Sequence, residues 1–260
     1  MIDNKVQLRY LNIKIQTMMR NNDNLFSQPI TDISDFSFDQ NVAQVFPDMI
    51  NRSIPGYPLM IDNIGYLSEQ YAQDNSAIYD LGCATGIATL SIAKQLTKKC
   101  PIIGIDNSAS MVEKCTQHLA QYNHGADVTI CLDDITLTEL VPASVIVMNF
   151  TLQFLAPEQR KCMLEKIYEA LLPGGILILS EKFKEEDTFT NNALIDLHHH
   201  FKKNNGYSDL EISQKRTALE NVMKTDSMAT HYQRLSATGF SHITTWFSCF
   251  NFMSLIAYKE

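Results

Sequence analysis

Along residues 35–72 the apolar positions keep a helical rhythm. Val42, Val45, Phe46, Met49 and Ile50 recur at spacings of three and four, which gathers them on one helix face. Pro55-Gly56 interrupts that rhythm and predicts a break. Farther on the pattern changes. Apolar runs at 77–79, 102–105, 128–132, 145–148 and 176–179 are short and lack a polar face, as expected for parallel strands buried on both sides. The stretches between them read as helices. Ser110 and Glu113 are spaced as a capping box for one of these, and Pro157 suits the first turn of another, expected to end at Leu171-Leu172 before Pro173-Gly174-Gly175. Strand and helix alternating in this way predict a doubly wound α/β sheet.

The two ends of the chain follow other patterns. Residues 187–237 are expected to form a helical excursion broken at Gly206, lying between the last parallel strand and the terminal segment HITTWFSCFNFMSLIAYKE. That segment reads as two β-rich runs about a turn near Phe250-Asn251, an antiparallel hairpin at the edge of the sheet. Residues 1–22 mix scattered apolar positions with Asn-rich stretches and are expected to be a flexible extension ahead of a single domain over 23–260. Met18 and Met19 stand where a shorter form would begin.

Composition narrows the class. Of 260 residues, 45% are hydrophobic and 19% charged, the balance of a folded chain long enough to bury a core. The six cysteines include no C-x-x-C pair, which fits reduced core thiols in the cytoplasm and argues against zinc or disulfides. No run reaches the roughly 20 apolar residues of a membrane span. A formal net charge of −8 opposes direct binding to a phosphate backbone. Lys98-Lys99, Lys202-Lys203 and Lys215-Arg216 read as wet surface pairs that can at most grip a small anion.

Candidate chemistry begins at IYDLGCATGIATL, residues 78–90, where a strand enters a loop closed by Gly82 and Gly86 and then a helix. A dinucleotide site uses G-x-G-x-x-G, and the middle glycine is absent here. The form D-x-G-x-x-x-G instead suits S-adenosyl-L-methionine, which has no phosphate: backbone passes close to its amino acid part, and Asp80 faces its ammonium directly or through water. Asp106 closes the second strand, 20 residues after Gly86, where a carboxylate accepts both ribose hydroxyls. Asp134 follows the third strand, in reach of the adenine amino group, and Asn149 follows the fourth, near the sulfonium. Each aspartate alone is equally well a cap or a turn residue. Their recurrence at successive strand ends favours S-adenosyl-L-methionine over NAD.

Two further features have bland readings. His198, His199 and His200 are successive, so about 100° apart on a helix and unable to share a metal; a wet helix face is expected, with one of them at most in reach of a pocket. Arg216 is spaced to pair with Glu220 on an exposed helix face.

Taken together, FDQNVAQVFPDMINRSIPGY, YDLGCATG, IDNSASM, NFTLQFL, GGILILSEKF and GYSDLEISQKR closely resemble the carboxy-S-adenosyl-L-methionine synthase family, over about residues 24–258. The Pro-Gly-Tyr and Ile-Ser-Gln-Lys-Arg segments are far more specific than the glycine loop. The chain departs from the family pattern at Ala84-Thr85, where Ser-Leu is common, and in its longer leading segment. The resemblance implies a class I methyltransferase-like, mostly parallel seven-stranded sheet. It also implies an unusual reaction: prephenate yields its ring carboxylate to the methyl carbon of S-adenosyl-L-methionine and becomes phenylpyruvate. Hydroxide expelled from prephenate takes a proton from the S-methyl group, and the resulting ylide captures the released CO2, so no protein base is required. By the same resemblance Tyr57 lines the pocket, Gly82, Cys83 and Ala84 pass under the amino acid part, Asp106 and Asn107 hold the ribose, Asp134 and Ile135 frame adenine, and Asn149 meets the reacting end. Arg216 reaches across a homodimer to the new carboxylate, a charge-assisted pair worth about 1.5–3 kcal/mol. The product then passes to a tRNA carboxymethyltransferase for wobble-uridine modification. An ordinary methyltransferase and a non-catalytic, cofactor-binding partner of a tRNA-modifying enzyme are the competing readings.

Overall fold

The computed structural model describes residues 22–260. The expected extension therefore falls almost wholly outside the described residues. Helix α1 (Gln40–Ser53) and helix α2 (Tyr57–Tyr71) flank the break at Pro55-Gly56, where Gly56 takes a left-handed φ of 71° and Pro58 follows in the first turn of α2. The sheet then begins: β1 (Ala77–Leu81), α3 (Ile87–Gln95), β2 (Ile102–Asp106), α4 (Ala109–Leu119), β3 (Val128–Leu132), β4 (Ala143–Asn149), α5 (Gln159–Ala170) and β5 (Leu171–Lys182). Three helices of the excursion follow, α6 (Thr188–Asn204), α7 (Asp209–Leu219) and α8 (Met228–Thr238), and the chain closes on β6 (His242–Cys249) and β7 (Phe252–Tyr258).

The strand order in this seven-stranded sheet is β3-β2-β1-β4-β5-β7-β6. β1 to β5 pair in parallel, and β7 pairs antiparallel to both β5 and β6. The order reverses between β1 and β4, so the strand ends there open the crevice in which such sheets hold ligands. Side chains alternate across β1: Tyr79 and Leu81 join Met148, Leu179 and the α5 residues Leu164 and Ile167 in one core, while Ile78 joins Val147, Ile178 and the α2 and α3 residues Ile64 and Ile92 in the other. With both faces covered, central strands can be apolar throughout.

The outer parts correct several expectations. β3 is a strand but not a buried one, because it is the sheet edge and Leu132 is 56% exposed. α4 is capped by Ser108, whose hydroxyl accepts from Met111 N–H at 3.2 Å; Ser110 lies inside the helix and makes no capping box. Pro157 precedes α5, which starts at Gln159, and Leu171 already belongs to β5, pairing with Ala143 before a register shift at Pro173-Gly174-Gly175. The excursion breaks at Gly206, as its rhythm indicated, and again over 220–227. There buried Arg160 binds the Lys224 carbonyl at 2.8 Å and the Asp226 carboxylate at 2.7 Å. A capping box between Ser208 and Glu211 starts α7.

Residues 22–39 contain no helix or strand and lie as a strap against α7. Gln214 fastens it by accepting from Ile30 N–H at 2.7 Å and donating to the Phe26 and Gln28 carbonyls at 2.8 and 2.9 Å. Farther along, Phe36 N–H donates to the Ala218 carbonyl at 2.8 Å. The strap thereby brings Phe36 and Phe38 over the strand ends.

Candidate functional site

A cavity of about 260 Å³ opens at the carboxyl ends of β1, β2 and β4. One half is acidic. β1 runs into the loop 82–86, where the Gly82 and Cys83 N–H groups donate to the Ile105 carbonyl at 2.8 and 3.1 Å and so pin the loop to β2. Gly82 has φ 80°, and a Cβ there would stand 2.4 Å from Thr151 Oγ1, so glycine is required twice over. Ala84 adopts a left-handed φ of 46° without being glycine, a strained turn of the kind that collects at ligand sites.

Asp106 is held by two backbone donors, Ala84 N–H and Ser108 N–H, each at 2.9 Å. This fixes the carboxylate while leaving it lone pairs for a diol. Asp134 is oriented the same way by Thr136, whose N–H and hydroxyl donate at 2.8 and 2.7 Å. Buried Ile135 and exposed Asn107 also line this half. Asp80 lies deepest, 1% exposed, and accepts from Thr89 Oγ1 at 2.6 Å. Burial, with some help from the Asp106 charge, pushes its pKa up to about 6.

The acidic half meets the middle of the cavity at Tyr57 and Asn149. Burial, then the Asp80 charge, raises the Tyr57 phenol far above its ordinary range, so it stays a protonated donor. Asn149 ends β4, and its Oδ1 is buried with no hydrogen-bond partner. After it, Phe150 turns the chain with φ 62°, costly for an aromatic residue, and meets Phe252 edge-on with ring centroids 6.0 Å apart. S-adenosyl-L-methionine fits this donor set: amide-held carboxylates for hydroxyl and amino groups, an orphaned acceptor near the reacting end, and no phosphate-binding glycine triplet.

The other half is cationic, and sequence reasoning missed it. Lys182 enters from the end of β5, His198 and Lys202 from one face of α6, and Lys215 from α7. Each paired basic segment proves two-sided. Lys202 and Lys215 turn inward, 8% and 6% exposed, while Lys203 pairs with Asp209 at the surface. Lys98 caps α2 by donating to the Glu69 and Ala72 carbonyls, both at 2.8 Å. His198 is likewise no wet residue. It is 5% exposed, its ring contacts the Ser53 carbonyl through Nε2 at 2.8 Å, and burial with the nearby lysines drives its pKa down to about 2. Being neutral, it donates there. His199 and His200 do not line the cavity. A spacing signal existed in the i, i+4 relation of His198 and Lys202; nothing in the pattern showed which helix face turned inward.

Two sequence candidates lie elsewhere. Gly86 (φ 75°) starts α3 and does not line the cavity; a Cβ there would meet Cys115 Sγ at 2.5 Å, so its role is to let α3 pack on α4. Arg216 is exposed, outside this cavity, and forms no ion pair with Glu220 among the described residues. Its charge still bears on Lys182 and His199. No group of three or more His, Cys, Asp or Glu among the described residues stands as a metal site, and no helix there is long and apolar enough to cross a membrane.

Comparisons agree on the family. The sequence model of the family described as "Methyltransferase domain" matches residues 72–237. Proteins named carboxy-S-adenosyl-L-methionine synthase are similar throughout: that of Actinobacillus succinogenes is 55% identical over 91% of this chain and 99% of its own. Those of Photobacterium profundum and Vibrio cholerae are each 54% identical, over 93% and 94% of this chain and 99% and 100% of theirs. Among solved structures, the S-adenosylmethionine-dependent methyltransferase SibL in its apo form is 14% identical with a TM-score of 0.61, covering 95% of this chain and 68% of that one. Magnesium protoporphyrin IX methyltransferase from Synechocystis, with bound SAH, is 16% identical with a TM-score of 0.54, covering 79% and 84%. These two carry the fold alone.

Proposed function

Because the chain belongs to the carboxy-S-adenosyl-L-methionine synthase family, enzymes on a methyltransferase fold that use S-adenosyl-L-methionine, we propose that it moves the ring carboxylate of prephenate to the methyl carbon of S-adenosyl-L-methionine. Phenylpyruvate leaves, and the carboxylated nucleoside serves a tRNA carboxymethyltransferase that modifies wobble uridine. The observation that carries this reading is the joining of an acidic and a cationic half in one cavity. A sulfonium nucleoside suits the first and a dianionic organic acid the second. A methyltransferase acting on a neutral acceptor has no use for buried ammonium groups beside its methyl donor.

In this reading Asp106 and Asn107 hold the ribose, Asp134 and Ile135 the adenine, and Gly82, Cys83 and Ala84 the amino acid part, with Asp80 beneath. Tyr57 and Asn149 orient the reacting end. The strap residues Phe36 and Phe38, with Phe150 and Phe252, exclude water. Exclusion matters because water would quench the reactive carbon and lower the worth of every charge contact. Arg216 acts on the new carboxylate from a second copy of the chain. Its position outside its own cavity supports that arrangement, as do exposed Phe189, Leu197 and Leu210 on neighbouring α6 and α7.

The experiment is direct: incubate the protein with S-adenosyl-L-methionine and prephenate and follow the products by mass spectrometry. Carboxylated sulfonium nucleoside with equimolar phenylpyruvate is expected. S-adenosylhomocysteine with a methylated acceptor, or no turnover, overturns the proposal.

A further inference from the structure

Resting on that reading, we propose that Lys202 and Lys182 bind the keto-acid carboxylate that the donor keeps after its ring carboxylate has left. The side chains arrive from separate elements, β5 for Lys182 and α6 for Lys202, and line the cavity that Tyr57 and Asn149 also line. Lys215, from α7, already has neighbours: Asp23 Oδ2 at 3.5 Å and Ser53 Oγ at 3.4 Å. Asp23 is in turn committed to the Tyr207 hydroxyl at 2.5 Å. For Lys202 and Lys182 no carboxylate lies within ion-pair distance among the described residues, and neither ammonium donates a hydrogen bond; Lys182 has only the Phe252 ring, 5.8 Å from its Nζ.

An ammonium group that is 8% exposed and unpaired is expensive to bury. Burial pushes the Lys202 pKa down to about 7, helped by Lys215 and Lys182, and that of Lys182 to about 8, helped by Arg216. An anion between them would reverse both shifts. The neighbouring walls are aromatic, Phe252 and Phe150, which selects an anion carried on an apolar ring.

The chemistry decides which carboxylate belongs there. The departing carboxylate must surrender its charge to become CO2. Two ammonium groups on it would stabilise the ground state over the transition state and slow the reaction. The side-chain carboxylate keeps its charge throughout, so cations on it bind substrate and transition state alike. Phenylpyruvate, which retains only that group, is therefore the probe.

The full-length protein, loaded with S-adenosyl-L-methionine, is titrated with phenylpyruvate by calorimetry. Wild type is expected to bind with proton uptake at pH 8. Lys202→Met should weaken phenylpyruvate, and raise the KM for prephenate, by about 10- to 100-fold, the range of a lost charge-assisted hydrogen bond. Affinity for S-adenosyl-L-methionine should stay within about twofold. The variant should also melt higher without ligands, since it removes an unpaired buried charge; a merely structural lysine would do the opposite. Lys182→Met, at a less buried position, repeats the test independently. Unchanged phenylpyruvate affinity, or an equal loss for S-adenosyl-L-methionine, overturns the assignment. Lysine-dependent phenylpyruvate binding without any carboxylated nucleoside from prephenate would keep the subsite and remove the reaction.

Discussion

The two halves of the cavity are opposite in charge and in construction. On the acidic side Asp106 is pinned by the backbone N–H groups of Ser108 and Ala84, Asp134 by Thr136, and Asp80 by the Thr89 hydroxyl. On the cationic side Lys182 and Lys202 are held by packing alone, and their long stems come from the last parallel strand and from a helix inserted after it. Such a division suits their tasks. A nucleoside offers directional hydroxyl and amino groups that reward a fixed acceptor. A carboxylate presents a diffuse charge that flexible ammonium groups can follow. The acidic half is built on the strand ends of the parallel sheet; the cationic half takes Lys182 from the end of β5 and Lys202 and Lys215 from the helical excursion.

The sharpest way to break this comparison is to remove the anchor of the acidic half. Asp106→Ala deletes an acceptor that holds both the loop and, in our reading, the ribose; S-adenosyl-L-methionine affinity should fall by more than about 100-fold in calorimetry. A nearly unchanged affinity would mean that the nucleoside sits elsewhere.

Arg216→Ala is expected to lower kcat/KM for prephenate by about 10- to 100-fold with little change in nucleoside binding. Mixing it with Asp106→Ala sharpens the result. If Arg216 acts across a dimer, exchanged subunits should recover about a quarter of wild-type activity, since one site in each mixed dimer is whole. No recovery would place Arg216 in the site of its own subunit, and an unchanged kcat/KM for Arg216→Ala alone would place it outside the reaction.

A smaller, several-fold effect should appear with pH. Burial depresses Lys182 and Lys215 to about 8 and Lys202 to about 7, with Asp23 opposing and Arg216 and its lysine neighbours reinforcing the shifts; His198 stays neutral across that range. Carboxylate binding needs the charged forms, so KM for prephenate should rise as pH passes from 7 to 9. Stability without ligand should move the other way. Between about pH 7 and the ordinary lysine range near 10.5, the unfolded chain binds more protons than the folded one, so the melting temperature should increase with pH.

Smallest is Glu181→Gln, at a buried position of β5 that does not line the cavity. Glu181 accepts from Leu152 N–H at 3.0 Å, and burial raises its pKa to about 8. From its ordinary 4.5 up to about 8 the folded chain therefore holds a proton that the unfolded chain has lost, and stability falls as pH rises. The glutamine variant should flatten that slope in thermal melts while leaving nucleoside affinity alone. A shift in affinity instead would tie Glu181 to the acidic half.

The elements that could be read from the chain are those written in short-range chemistry. The strands announced themselves as apolar runs, the loop through Gly82 by a left-handed backbone that other residues resist, and the hairpin by its β-rich halves about Phe250-Asn251. The strand-end acids were legible for the same reason, since a carboxylate there is positioned by its own neighbours. Burial of β3 was misjudged because strand order, which places it at the edge, is a property of the whole sheet. The inward turn of His198, Lys202 and Lys215 was hidden because helical rhythm around them is weak and the partner face is supplied by Ser53 and Asp23, far away in sequence. Sequence by itself thus determined the sheet, its glycine loop and the chemistry of the acidic wall. Only the tertiary structure decided which cations lose their water, because desolvation depends on what packs around a side chain and not on the residues beside it in the chain.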